Sequence, residues 1–164
     1  MKNLILIRHA HAEFSAPNGK PDFYRALSKK GIQEADFMTN IVVGKLPKPE
    51  IVVSSSALRA MQTAEIFQNK LFNRHTIQPE KLIYEADAKE LLDFIKELPN
   101  NAQTVWLFGH EPKLTEIILS LSFGFDKTMS TCSIAFLKFD CISWMDISRK
   151  NIVSIQHNTP SDFK

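Results

Sequence analysis

Cysteine is scarce: Cys132 and Cys141 are the only two in 164 residues. They form neither a CxxC pair nor a zinc-type spacing, so reduced, structural thiols are expected rather than a disulfide framework. An excess of either charge is missing too. Twenty Lys and Arg against eighteen Asp and Glu leave a formal +2, which suggests neither a nucleic-acid footprint nor a polybasic membrane patch. No apolar segment is long enough to span a bilayer, and the short run ending at Arg8 is too brief for a signal-peptide core. Internal repeats, low-complexity tracts and obvious linkers are absent as well. One domain over residues 1–164 in a cytoplasmic protein is the resulting expectation, with enough chain to bury a sizeable core.

What is present is an alternation of strand-like and helix-like segments, the pattern of an α/β protein. "LILI" at 4–7 reads as a strand covered on both faces. Residues 13–26 are polar and punctuated by Pro17, Asn18, Gly19 and Pro21, and read as a loop. From Ser28, a plausible N-cap, Ile32, Ala35, Met38, Ile41 and Val42 recur at helical spacing. "IVV" at 51–53 predicts a second strand, and the serines after it are suited to cap a helix whose first turn contains Arg59. A weaker strand is expected around Lys81–Tyr84. A helix over 88–98 follows, opened by Asp87 with Glu90 in a capping box. "TVWLF" at 104–108 predicts a buried strand and "KLTEIILSLSF" a helix. "CSIAFLKFD", "ISWMDI" and "NIVSIQ" read as further strands, added antiparallel at a sheet edge.

The cationic residues fall at particular places. Strand 4–7 ends at Arg8 and His9, strand 51–53 leads to Arg59, and strand 104–108 ends after one glycine at His110. In open α/β sheets ligands bind at the carboxyl edge of the strands. If these strands are parallel neighbours, two arginines, two imidazoles and nearby helix N-termini converge into a pocket for a tetrahedral dianion. The same positive charge would keep one histidine neutral and therefore nucleophilic. Singly, each residue has an ordinary reading as a surface charge or turn residue; the repetition at three junctions argues for a site. His75 and His157 lie in polar surroundings and read as surface residues. His11, two positions after His9, is a conceivable metal ligand.

At these residues the sequence resembles the histidine phosphatase superfamily, and within it the short SixA-type phosphohistidine phosphatases. "LILIRHAHA" is similar to the signature containing the phosphoryl-accepting histidine. "DFYRALSKKG" resembles the D-x-x-R-x-L-[ST]-x-x-G segment, which adds Arg25 as a phosphate-facing cation. "VVSSSALRAMQTAEIF" and "LFGHEPKLTEI" resemble the blocks that supply Arg59 and His110. The resemblance implies a phosphoglycerate-mutase-like, three-layer α/β sandwich with helices on both faces of a mainly parallel sheet. It further implies phosphoryl transfer without metal or cofactor, in which His9 is transiently phosphorylated. Arg8, Arg25, Arg59 and a protonated His110 would stabilise the phosphoryl oxygens.

Many superfamily members add a carboxylic acid that protonates an alcohol leaving group, and Glu85 is the nearest candidate here. A phosphorylated imidazole needs no such acid, because it departs neutral when its other nitrogen is protonated. The SixA-type resemblance implies phosphohistidine on a partner protein as the expected substrate, with a small phosphate ester as the alternative. A non-catalytic phosphate binder is a further reading. A metal-dependent hydrolase using His9, His11 and His110 is disfavoured, since two adjacent arginines would repel a divalent cation. The sequence leaves the oligomeric state open.

Overall fold

The computed structural model describes residues 1–164. Six strands, β1 (Lys2–Arg8), β2 (Ile51–Ser55), β3 (Ile77–Glu80), β4 (Thr104–Gly109), β5 (Ile134–Phe139) and β6 (Ile152–Asn158), form one sheet in the order β3-β2-β4-β1-β5-β6. β1, β2, β3 and β4 are parallel, and β5 and β6 continue the sheet antiparallel. The helices are α1 (Lys29–Val42), α2 (Leu58–Leu71), α3 (Lys81–Glu85), α4 (Ala88–Lys96) and α5 (Lys113–Leu121).

β1 shows why an unbroken apolar run was needed. Its side chains alternate between faces. Leu4 and Leu6 join Leu91, Ile95, Ile117 and Ile118 from α4 and α5. Ile5 and Ile7 join Ala35, Met38 and Phe67 from α1 and α2 on the other side. All four β1 residues are fully buried. Helices therefore cover both faces, and the three-layer α/β sandwich expected from the resemblance is the observed architecture.

Local capping also follows the sequence. Ser28 Oγ accepts from the Gly31 N–H at 3.1 Å, and Asp87 with Glu90 forms the reciprocal capping box of α4. Two segments differ from expectation. Lys81–Glu85 is helix α3, not a strand; the strand lies just before it, at Ile77–Glu80. β3 carries Pro79, which an edge strand tolerates, and in the short window after it the apolar period cannot separate helix from strand. "ISWMDI" contains a 3-10 turn at Trp144–Asp146 instead of a strand. The Trp144 indole is fully buried there, and its Nε1 donates to the Ala102 carbonyl at 2.9 Å. Its apolar character fills the core beside α4 without contributing a ladder.

The chain between β1 and α1 crosses the helix closely at Gly31. A Cβ at that position would stand 1.9 Å from the His11 carbonyl oxygen, with main chain on both sides of the contact. Gly31→Ala is accordingly expected to cost about 1–3 kcal/mol of unfolding free energy, as overpacking does. It should also reduce turnover by shifting residues 9–11. Urea melts and an assay on the same sample check this; a variant with wild-type stability would show that the crossing is slack.

Candidate active site

β1, β4 and β2 are adjacent and parallel, so their carboxyl ends lie on one edge. Arg8 is in register with Gly109, and the next residue of each strand is a histidine. The His9 N–H donates to the Gly109 carbonyl at 3.0 Å, which locks the two strand ends together. The His9 and His110 rings lie 5.1 Å apart. Arg59, in the first turn of α2, brings its Nε to 3.3 Å from His9 Nε2. His9, Arg59 and His110 are each 6% exposed. Residues 50 and 101 positions from His9 thus meet it at one point.

The His9 ring is fixed in both tautomer and charge. Nδ1 lies 2.7 Å from the Ala10 carbonyl oxygen, which can only accept, so Nδ1 carries the hydrogen. Nε2 is left with a lone pair facing Arg59. Burial lowers the His9 pKa to about 4; the Ala10 hydrogen bond opposes the shift, and Arg59, Arg8 and Arg25 add to it. The ring is a neutral imidazole with one aimed nitrogen.

His110 is lowered further, to about 2, by burial first, then by His9, which takes up its own proton before His110 does, and by the charges on Arg59 and Lys113. This departs from the protonated His110 implied by the resemblance: in a buried, cation-rich pocket the imidazolium is the costly form. Ser55 supplies another way to make it a donor. Ser55 is fully buried, and its Oγ accepts from the Ala57 N–H at 3.2 Å and lies 2.7 Å from His110 Nε2. The hydroxyl proton is satisfied by pointing at Nε2. That places the ring hydrogen on Nδ1, a buried atom with no partner inside the protein. A neutral His110 thereby still offers an N–H.

Arg8 donates from Nη1 to the Met129 carbonyl at 2.9 Å, while its Nε is buried and unpaired. Arg25 pairs through Nε with Asp22 at 2.8 Å. Both cations contribute to the lowered His9 pKa, so both belong to its electrostatic surroundings. Glu85 does not. It is exposed, pairs with Lys81 at 3.2 Å, and lines a separate cavity of about 560 Å³ with Glu90, Asp93 and Phe94. On α3 it is the preceding residue, Tyr84, that turns toward His110, with ring centroids 5.5 Å apart. The structure thus brings Tyr84 and not Glu85 to His110, a consequence of helix α3 standing where a strand was expected. His11 turns to the α1 cap, its Nδ1 2.7 Å from Ser28 Oγ. No group of three or more His, Cys, Asp or Glu side chains is placed to hold a metal ion. His157 is half-buried against Phe125 and not a plain surface residue, whereas His75 rests on Phe72.

Several participants were not singled out from the sequence. Asp22 bonds Arg25, Arg59 and the Tyr84 hydroxyl. Thr63 Oγ1 accepts from the Ala10 N–H at 3.0 Å, and Gln62 Oε1 accepts from the Leu27 N–H at 2.7 Å. The aspartate opens the D-x-x-R segment, and Gln62 and Thr63 stand in "RAMQTA", so each had a signal in a motif already noted. Ser55 stands four residues before Arg59, at the serine of the S-x-x-x-R spacing in that same block, whereas Tyr84 carried no signal that separated it from packing residues.

The model of the histidine phosphatase superfamily (branch 1) matches residues 4–117. An uncharacterized protein of Mycobacterium leprae is 28% identical over 116 residues, covering 68% of this chain and 70% of that one. An uncharacterized protein of Mycobacterium tuberculosis is 29% identical over 112 residues, 68% of each chain. A structure of the protein histidine phosphatase SixA complexed with tungstate superposes with a TM-score of 0.82 at 22% identity, covering 99% of both chains. The proposed phosphohistidine phosphatase SixA of Agrobacterium tumefaciens gives 0.77 at 25% identity, over 94% of this chain and 97% of that one.

Because both histidine pKa values lie below the ordinary 6.5, the unfolded chain takes up protons first as the pH falls. The associated stability is complete above 6.5 and is lost from there down to about 4 for His9 and about 2 for His110. The slope is about 1.4 kcal/mol per pH unit for each ring. Nitrogen-15 NMR at pH 5.5 should show His9 and His110 as neutral rings, His9 with its proton on Nδ1. An imidazolium signal from either at that pH would contradict the assignment. Glu85→Gln should change hydrolysis of phosphohistidine and of alkyl phosphates by less than about twofold, because a carboxylate directed away from the reacting atoms has no differential interaction with the transition state. Selective loss on the alkyl ester would restore Glu85 as an acid.

Proposed function

The chain belongs to the histidine phosphatase superfamily, and from that membership, which makes it a phosphatase, we propose that it removes phosphate from phosphohistidine on a partner protein through a phosphohistidine formed on His9. The observation that carries this reading is the His9 ring itself. Nδ1 is committed to the Ala10 carbonyl, the ring is neutral, and the lone pair of Nε2 faces the Arg59 Nε–H at 3.3 Å.

In the first step the Nε2 lone pair forms a bond to phosphorus while the bond from phosphorus to the substrate nitrogen breaks. The leaving imidazole takes that electron pair and departs neutral, its other nitrogen keeping its proton. His9 becomes a phosphorylated ring with positive charge, which the Ala10 carbonyl stabilises through Nδ1–H. Arg59, Arg8 and Arg25 stabilise the equatorial oxygens, and His110 donates from Nδ1 as a neutral ring. In the second step water attacks phosphorus, its proton passes to the phosphate product or solvent, and His9 leaves as the imidazole that began the cycle. All of residues 1–164 act as one domain in this reading, since the catalytic edge and both antiparallel additions belong to one sheet.

The leaving group supports the choice of substrate. Glu85 pairs with Lys81, and the carboxylate closest to Arg59, Asp22, is held ionised: burial pulls its pKa up, but hydrogen bonds from Tyr84 and Arg59 and the charges of Arg59 and Arg25 outweigh that. An alkoxide would leave without a proton donor, whereas imidazole needs none. A small phosphate ester is the second reading.

His9→Ala should abolish turnover, and brief exposure of the wild type to a labelled substrate should leave acid-labile phosphate on His9. A phosphorylated histidine-phosphotransfer domain should be hydrolysed at least tenfold more efficiently than sugar phosphates, with a chelator making no difference. A preference for the sugar phosphates would replace the substrate reading; turnover by His9→Ala would remove the nucleophile.

A further inference from the structure

The geometry points to Asp22 as the residue that aims Arg59 at the reacting phosphoryl group. This rests on the reading of His9 as nucleophile and adds to it a positioning residue outside the strand-end cluster.

A guanidinium has five N–H donors in one plane, four of which form two forks, an outer pair on Nη1 and Nη2 and an inner pair on Nε and Nη2. Asp22 takes the outer fork completely. Its main-chain carbonyl accepts from Nη1 at 3.0 Å and its Oδ2 accepts from Nη2 at 3.0 Å. The inner fork is then turned the other way, with Nε 3.3 Å from His9 Nε2. Two phosphoryl oxygens flanking a phosphorus on Nε2 would meet Nε–H and the second Nη2–H. Rotating Arg59 out of this plane would break both bonds to Asp22 at once, so the aim is set before substrate arrives.

Asp22 is itself held from three sides. Its Oδ1 accepts from Arg25 Nε at 2.8 Å, its Oδ2 accepts from the Tyr84 hydroxyl at 2.9 Å, and its main chain sits in a 3-10 turn at Asp22–Tyr24. Tyr84 is fixed in turn. Its carbonyl accepts from Lys113 Nζ at 2.8 Å, Phe23 packs edge-on at 5.1 Å, and the Arg59 guanidinium lies 5.9 Å from the Tyr84 ring centroid. Asp22 also places an anion between Arg25 and Arg59, so that two cations serving one site are bridged instead of repelling each other. With its oxygens committed to donors, the carboxylate acts through Arg59 and not as a proton donor.

The test combines nitrogen-15 NMR of the Arg59 Nε–H with turnover of aryl phosphates by the full chain. Thermal melting of each variant is recorded alongside. In the wild type the Arg59 Nε–H should be ordered. In Asp22→Asn, whose amide cannot accept from both arginines and Tyr84, it should become mobile on the nanosecond scale with the melting temperature little changed. Asp22→Asn should lower kcat about tenfold and Asp22→Ala about a hundredfold, the scale of loss for a misplaced catalytic group. KM should change far less than kcat. The factor should be the same for aryl phosphates of high and low leaving-group pKa. In an Arg59→Ala background, Asp22→Asn should have less than a twofold further effect. An Arg59 Nε–H equally ordered in Asp22→Asn, losses that multiply in the double variant, or a loss that grows with leaving-group pKa would each overturn the proposal. His9→Ala separates the two layers: turnover there refutes the nucleophile, while the NMR comparison still judges Asp22.

Discussion

One hydrogen bond decides what the rest of the site can do. The Ala10 carbonyl can only accept, so it fixes the proton of His9 on Nδ1 and leaves Nε2 as the single free nitrogen. That carbonyl shares its peptide unit with the His11 N–H, which donates to Glu34 Oε2 on α1 at 2.9 Å, and the two preceding N–H groups, of Ala10 and His9, are held by Thr63 on α2 and by Gly109 on β4. Two helices and a neighbouring strand thus fix three successive peptide units that end in this carbonyl. Without it the ring would be a buried histidine with a choice of tautomers; with it the ring has one direction of attack.

The second constraint is charge. Arg8, Arg25 and Arg59 act on the same neutral ring, and Arg59 is almost fully buried. Buried cations are tolerated only with close partners. Arg59 finds them in the carboxylate and carbonyl of Asp22, and Arg8 in the Met129 carbonyl. These partners leave particular N–H groups uncommitted, so the demand for satisfaction and the demand for an oxyanion site are met by the same arrangement. His110 follows the same logic: Ser55 supplies the hydrogen bond its Nε2 requires and thereby places the ring proton on Nδ1.

How much of this was legible in the chain depended on the length scale of each signal. Unbroken apolar runs such as Leu4–Ile7 announced doubly covered strands, and Arg8, His9, Arg59 and His110 were found because they sit where such runs end. The capping box at Asp87 and Glu90 is similarly local and was readable. Helix α3 was not, because Lys81–Glu85 is a single turn whose only buried apolar side chain is Ile83. That misplacement carried Glu85 with it, since one residue's rotation along a helix decides whether position 84 or 85 meets the site. Tyr84 escaped for a different reason. Its hydroxyl meets Asp22, 62 residues away, and no periodicity records a contact of that range.

Arg59, Gln62 and Thr63 sit at i, i+3 and i+4 on one face of α2 and hold, in turn, the His9 ring, the backbone at Leu27 and the backbone at Ala10. The helix therefore behaves as a ruler with three marks. Adding or deleting a residue between those marks would turn the later ones by about 100°, the angle of one step at 3.6 residues per turn, and break the alignment of two separate chain segments. A change of length should therefore be far better tolerated at residues 73–76 between α2 and β3, where no mark is read, than within the span from 59 to 63.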